Sequence, residues 1–343
     1  MRLVLFSSYV PFVNGGARFI VEWLAEKLQE RGIQVERVYL PFSDAPRDLL
    51  WQMTAFRLVK IDSADRVICF RPPSHLLQHP NKVLWFIHHL RGFYDLWNTD
   101  GAPPHTRYYN ALRRAIFQAD RVALNEARAI FANSRVVQKR LKKFNDVDSS
   151  VLYPPLLDPT AYCNRGYSDE VIYISRLGRY KRQHLLVEAM AQVKTAVRAR
   201  ICGAVPGAVY TKELLRLASK LGVADRVSIE NRWISEEEKR DVIGRSLAMA
   251  YFPLDEDSYG YPTLEAAHSC KPLITTTDAG GVLEFVTHEC NGLVCDPDPK
   301  AVAEALDRFY SDRELVKTLG SNAAQTVEKL HINWDNVIDS LLA

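Results

Sequence analysis

Asp257 and Glu265 stand eight residues apart in the run Asp255-Glu256-Asp257-Ser258-Tyr259-Gly260-Tyr261-Pro262-Thr263-Leu264-Glu265-Ala266. One acid precedes a helix expected to begin near Pro262 or Thr263, and the other lies on it. Proline suits a first helical turn, because the N–H it lacks has no partner there. The remaining backbone N–H groups at such a start favour an anion such as phosphate. A carboxylate can accept from two vicinal hydroxyls at once. Two acids around an anion site could therefore hold a sugar and a ribose on either side of a diphosphate. Read alone, Glu265 on a helix is a solvated carboxylate, and Glu256 competes with Asp257 for the first position.

Other polar residues gather at expected strand ends. Arg176 and Lys181 follow the run Val171–Ser175, and His88-His89 follow Val83-Leu84-Trp85-Phe86-Ile87. Ligands of open parallel sheets bind at the carboxyl ends of the strands. Gly15-Gly16 separates a first strand from a helix, but the full GxGxxG dinucleotide pattern is absent.

These residues need a scaffold of alternating strands and helices. Strands are expected at Arg2–Phe6, Gln34–Leu40, Arg66–Phe70, Lys82–His88 and Ala129–Ala132. A helix carries Phe19, Ile20, Trp23, Leu24 and Leu28 on one face and stops at Gly32. Asn133-Ser134 caps a helix over Val136–Phe144. Tyr153-Pro154-Pro155 breaks the rhythm and reads as the start of a linker running to about Tyr167. The pattern then restarts, with strands at Val171–Ser175, Ala199–Gly203, Val227–Glu230, Ala248–Phe252, Leu273–Thr276 and Gly292–Cys295. Helices are expected between them, and the stretch from Lys300 to Ala343 reads as helical throughout. Such alternation implies two α/β blocks with parallel sheets.

Bulk properties agree. A chain of 343 residues suits two such domains. A net charge of +3 with 25% charged residues gives no basic excess of the kind nucleic-acid binding needs. The apolar start Met1-Arg2-Leu3-Val4-Leu5-Phe6 is too short for a signal peptide, and no apolar run is long enough to span a membrane. Cys69, Cys163, Cys202, Cys270, Cys290 and Cys295 show no CxxC or Cys/His metal spacing. They read as free thiols in a reducing compartment, so the cytoplasm is the expected location. The run Gln138-Lys139-Arg140-Leu141-Lys142-Lys143 is a candidate peripheral contact with anionic lipid at the inner membrane face.

The loop Asp257-Ser258-Tyr259-Gly260-Tyr261-Pro262-Thr263-Leu264-Glu265-Ala266 resembles the E-x7-E signature of glycosyltransferase family 4, with Asp in place of the first Glu. Further segments resemble the family in order along the chain. Gly15-Gly16-Ala17-Arg18 is similar to its GGAxR turn, and Arg176-Leu177-Gly178-Arg179-Tyr180-Lys181 to its RLxxxK element. Cys202-Gly203 matches a strand end before the nucleotide loop, and Gly280-Gly281 through Val294 the closing GGxxEfV…NGLxV segment. His88-His89, with Arg91, Tyr94 and Asp95, stand where the family places a histidine facing the transferred sugar. The resemblance implies a GT-B fold of two Rossmann-like domains facing across a cleft. The first (1–158) would bind the acceptor and the second (159–325) the donor, with a helix over about 326–343 returning to the first.

It further implies a retaining, metal-independent glycosyltransferase that moves a hexose from a nucleotide-sugar to a glycan or lipid-linked acceptor. A UDP-sugar is favoured as donor, with UDP-glucose plausible, in cell-surface polysaccharide synthesis and with no cofactor. Glu265 would hold the ribose, Asp257 or Glu256 the sugar, and Arg176 and Lys181 the phosphates, where charge develops without Mg²⁺. Gly15, Gly16, Gly203, Trp233, Tyr259, Gly260, Tyr261, Pro262, Thr263 and Leu264 would line the donor. Arg91 and Tyr94 would meet the acceptor. Asp255-Glu256-Asp257 also has the DxD form that binds metal in the other large transferase fold, but its place at a helix start in the second block argues against that role. An epimerase using nucleotide-sugars and a non-catalytic binding homologue are the competing readings; a dehydrogenase lacks its glycine fingerprint.

Overall fold

In the computed structural model, which describes residues 1–12, 15–43, 45–99, 102–204 and 207–343, the alternation becomes two parallel sheets. The first sheet contains β1 (Arg2–Tyr9), β2 (Gln34–Pro41), β3 (Arg66–Cys69), β4 (Lys82–Phe86), β5 (Ala129–Ala132) and β6 (Ser150–Val151). Their order is β2-β1-β3-β4-β5-β6, and each pair runs parallel. Leu3–Phe6, β3 and β4 are buried on both faces, as crossover helices on each side require. Those helices are α1 (Gly16–Glu30), α2 (Leu49–Leu58), α3 (Arg107–Asn125) and α4 (Arg135–Asn145). Ser134 caps α4 by accepting from the Val137 N–H at 3.0 Å.

The second sheet contains β7 (Glu170–Ile174), β8 (Arg198–Cys202), β9 (Val227–Glu230), β10 (Ala248–Ala250), β11 (Leu273–Thr276) and β12 (Gly292–Cys295). Its helices are α5 (Gln183–Met190), α6 (Val209–Lys220), α7 (Glu236–Arg245), α8 (Tyr261–His268), α9 (Pro299–Ser311) and α10 (Arg313–Lys329). The strand order is β12-β11-β10-β7-β8-β9. The sheet thus grows in one direction from β7 through β8 and β9, then restarts at β10 on the other side of β7. That reversal point opens a crevice above the carboxyl ends of β7 and β10.

The chain divides into two units, Met1–Pro154 with Asn333–Ala343, and Pro155–Ile332. The stretch expected to be helical from Lys300 onward is three helices. Asp312 caps α10 by accepting from the Leu315 N–H, and Asn333 caps α11 (Trp334–Leu342) by accepting from the Asn336 N–H. The return to the first unit therefore begins at Asn333, and α10 stays with the second. In the first unit α11 is held by Arg31, which pairs with Asp335, and by the buried Arg66, whose Nη1 donates to the Leu341 carbonyl at 2.6 Å.

Residues 155–168 form an irregular strap on the second unit. Arg165 N donates to Gly244 O, and Ser168 N to Arg245 O, both at the end of α7. Lys271, buried just past α8, donates from Nζ to Asn164 Oδ1 at 2.9 Å and also to the Gly166 carbonyl. Burial lowers the pKa of Lys271 to about 8.

Candidate functional site

The loops leaving β7 and β10 carry the residues singled out in the second unit. The acidic loop after β10 is laid along a second loop, residues 278–281. Asp255 N donates to Asp278 O, Glu256 N to Ala279 O, and Gly281 N to Glu256 O at 2.8 Å. Gly280 has φ +63°, and a Cβ there would lie 2.5 Å from the Glu256 carbonyl oxygen. Gly260 ends the loop at φ +73°, against the Tyr251 ring, and starts α8. Both positions need glycine because the backbone is left-handed and closely approached.

Lys181 does not stand open. Its Nζ donates to Tyr251 Oη at 2.8 Å and is ion-paired with Glu256, with Lys181 only 7% exposed. Neighbouring Arg182 knits the loops together. It donates to the Phe252 and Pro253 carbonyls and to Thr276 Oγ1, and grips Asp278 with both terminal nitrogens. That guanidinium, against the opposing effect of burial, holds the Asp278 carboxyl below its ordinary pKa. Arg176 is exposed, and its guanidinium makes no ion pair among the described residues.

Glu265 on α8 is 4% exposed, and its Oε1 accepts from Lys239 Nζ at 2.7 Å. Tyr162 Oη, from the strap, reaches the same oxygen at 3.4 Å. Burial opposes the charge on Lys239, but Glu265, Tyr162 and Glu236 outweigh it and raise its pKa. Asp257 and Glu256 are half-buried on the loop that leads into this helix, so the site holds acids on a loop and a helix with cations between and beside them.

Several expectations are corrected here. The Thr263 N–H donates to Gly260 O and its Oγ1 to Tyr259 O, so neither is left for an anion. Tyr259 and Leu264 are core residues, Tyr259 packing its ring against Phe285 at 6.2 Å. They can shape the site only through their backbone. Gly203 answers a packing need: a Cβ there would fall 1.7 Å from the Ser175 carbonyl oxygen. Tyr261 and Pro262 open α8 at its half-buried end, and Trp233 is 55% exposed ahead of α7. Among the described residues no group of three or more His, Cys, Asp or Glu side chains is placed to hold a metal ion.

In the first unit, β4 delivers His88 and His89 to different surroundings. His88 Nδ1 lies 2.6 Å from the His89 carbonyl oxygen, which can only accept. Nδ1 therefore carries the proton and Nε2 keeps its lone pair. Burial, followed by the Arg71 guanidinium, lowers the His88 pKa to about 4, so the ring is neutral. His89 is 2% exposed, with Nε2 on Asn145 Oδ1 at 2.8 Å. Tyr94 lies against it and donates from Oη to Asp120 Oδ2 at 2.6 Å, while Asp120 Oδ1 meets His75 Nε2. His89 and Tyr94 thus belong to a buried polar chain, which corrects their expected substrate contacts. Arg91 is half-buried and paired with Asp95.

Gly15 and Gly16 begin α1, where the Gly15 carbonyl accepts from Arg18 and Phe19. Gly15 is extended, and a Cβ there would meet nothing within 4 Å. The preceding Val13 and Asn14 fall outside the described residues. The basic run on α4 is not a continuous charged face. Arg140 is buried against Asp95, and Lys142 pairs with Asp146 and Asp148. Lys239, Tyr162, Tyr251 and Arg182 escaped the sequence reading. Their partners lie 26, 103, 70 and 96 residues away, and no local spacing signals such pairs.

The glycosyl transferases group 1 family matches residues 165–326, just under half of the chain and nearly all of the second unit. A human alpha-1,3/1,6-mannosyltransferase, ALG2, is 25% identical over 294 residues, covering 77% of this chain and 68% of that protein. A GDP-mannose-dependent alpha-(1-6)-phosphatidylinositol monomannoside mannosyltransferase of Mycobacterium tuberculosis is 28% identical over 182 residues, 51% of this chain and 47% of that protein. Among solved structures, Anabaena HepE in complex with UDP and glucose superposes with a TM-score of 0.69 at 20% identity, over 99% of each chain. Sucrose-phosphate synthase from Thermosynechococcus elongatus gives 0.73 at 18% identity, over 99% of this chain and 98% of that one. With two doubly wound parallel sheets and an acid-bearing loop at the β7–β10 crevice, the chain has the GT-B fold, and its second unit matches the group 1 glycosyltransferase family.

Proposed function

We propose that the chain transfers a hexose from a nucleotide-sugar to a glycan or lipid-linked acceptor, with retention of anomeric configuration and without a metal ion. The observation that carries the donor site is the pairing of two loops at the β7–β10 crevice. One brings Arg176 and Lys181, the other brings Glu256 and Asp257 and leads into Glu265. Diphosphate charge falls to Arg176 and Lys181, and the ribose hydroxyls fall to Glu265. Because Lys181 already engages the Glu256 carboxylate, the contact to the transferred sugar falls to Asp257. The first unit takes the acceptor, and its neutral His88 offers Nε2 as an acceptor for a hydroxyl. Cationic groups held in place where the leaving phosphate gains charge lower the barrier without reorganisation.

UDP-glucose is the proposed donor. The fold shared with HepE, solved with UDP-glucose, supports testing it first, and synthesis of cell-surface polysaccharide is the proposed setting. GDP-mannose is the second reading, favoured by the sequence relatives named mannosyltransferases. The test is transfer from each donor to a panel of lipid-linked and free oligosaccharides in EDTA, with the product's anomeric proton read by NMR. An α-donor giving an α-product with one nucleotide-sugar, lost in Glu265→Ala, is the expected result. Folded protein that transfers from no nucleotide-sugar would overturn the reading.

A further inference from the structure

Both protein hydrogen bonds to the Glu265 carboxylate fall on one oxygen. Oε1 accepts from Lys239 Nζ at 2.7 Å and lies 3.4 Å from Tyr162 Oη, whose one proton Glu236 Oε2 can also accept at 3.4 Å, and among the described residues no protein group hydrogen-bonds Glu265 Oε2. A carboxylate this deeply placed is costly to ionise without a partner. Lys239, with its side chain 13% exposed, supplies the positive charge and is itself steadied by Glu236 at 2.9 Å. Tyr162 closes the same cluster from the strap, with Arg240 stacked 5.6 Å from its ring.

The choice of lysine matters. An ammonium is a point charge that can sit on a single carboxylate oxygen, whereas a guanidinium is a planar fork that takes both oxygens together. The arrangement at Glu265 pins the carboxylate at one end and leaves the other oxygen, with two lone pairs, to hydroxyl donors from outside the protein. Two adjacent hydroxyls match one such oxygen; a lone phosphate does not.

We propose that Lys239, assisted by Tyr162, is a positioning residue that fixes Glu265 through Oε1 so that Oε2 is presented to the vicinal hydroxyls of the donor ribose. This rests on the nucleotide-sugar reading above. It also assigns a use to the strap: the segment that follows Pro154-Pro155 touches the acid that reads the ribose.

The test compares binding of UDP and 2′,3′-dideoxy-UDP by calorimetry, with the guanosine pair in parallel, to wild type and to Lys239→Arg, Lys239→Gln and Tyr162→Phe. Wild type is expected to prefer the diol-bearing nucleotide by about tenfold or more. Lys239→Arg keeps the charge and the melting temperature, but its fork covers both oxygens, so the preference shrinks to about threefold or less. Lys239→Gln loses the preference as well, and Tyr162→Phe loses part of it. A merely structural ion pair predicts the opposite split, with Lys239→Arg retaining the full wild-type ratio. That result overturns the proposal, and if Lys239→Gln fails to fold, the arginine and phenylalanine variants still decide it. Wild type that binds neither UDP nor GDP overturns the nucleotide-sugar reading itself, and wild type that binds both analogues equally removes Glu265 as the ribose contact.

Discussion

Lys181 and Glu256 hold each other across the β7–β10 crevice, with Tyr251 Oη bonded to the same ammonium at 2.8 Å. In this arrangement a protein carboxylate stands where the proposed function needs a phosphate. The donor must therefore compete with an internal anion for Lys181.

Glu256→Gln should release that competition. Removing the charge leaves Lys181 with a neutral partner, so affinity for UDP and for inorganic pyrophosphate is expected to rise about three- to tenfold. Calorimetry against both ligands checks this. Unchanged or weaker binding would show that the pair survives in the complex and that Glu256 helps to shape the phosphate site.

Arg182 ties together the loops after β10 and β11 through the Phe252 and Pro253 carbonyls, Thr276 and Asp278. Arg182→Ala removes all of these and leaves carbonyls unpaired, for an expected loss of roughly 2–3 kcal/mol. Urea unfolding should show a lower midpoint with an unchanged slope. Donor affinity should fall with it, because the acidic loop loses its anchor.

Gly280 combines left-handed backbone with close approach of the Glu256 peptide. Alanine there must push the acidic loop away, and an expected cost of about 1–3 kcal/mol follows from strain and overpacking. Gly15→Ala is the control, since a methyl group meets nothing there. Melting curves of the two variants should separate clearly, and equal melting temperatures would refute the packing argument.

His88 and His89 both titrate near pH 4 in the folded protein, lowered mainly by burial, against an ordinary value of 6.5. Below pH 6.5 the unfolded chain takes up protons that the folded one refuses. Their contribution to stability is therefore complete above about pH 6.5 and declines as the pH falls toward 4, by up to roughly 1.4 kcal/mol per pH unit for each ring. Urea midpoints between pH 7.5 and 4.5 should fall more steeply for wild type than for His89→Gln. Parallel slopes would place the proton uptake elsewhere.

Much of the fold was legible from alternation alone, because parallel strands buried on both faces leave short apolar runs such as Val83–Ile87 between polar turns. Two helices were not. In α2, Leu49, Met53 and Phe56 face the core while Leu50, Trp51 and Leu58 face outward, so no single apolar stripe marks it. In α3 the row Leu112, Ile116, Ala123 is interrupted by Asp120, which is buried only because His75 and Tyr94 meet it. The candidate site divides in the same way. Glu265 was singled out by its spacing from Asp257, and Arg176 and Lys181 by the family resemblance and their place after a strand, whereas the groups that meet Glu265 and Lys181 come from distant segments. His89 and Tyr94 read as substrate contacts because Asn145 and Asp120, which satisfy them inside the core, are 56 and 26 residues away.

The seat of α11 in the first unit has a consequence for biosynthesis. The ribosome releases Met1–Pro154 early, yet Arg31 and Arg66 receive Asp335 and Leu341 only after the whole of Pro155–Ile332 has been made. A nascent first unit must therefore wait, incomplete, through the synthesis of the second. Emergence of Asn333–Ala343 is then the event that completes a unit begun before the other.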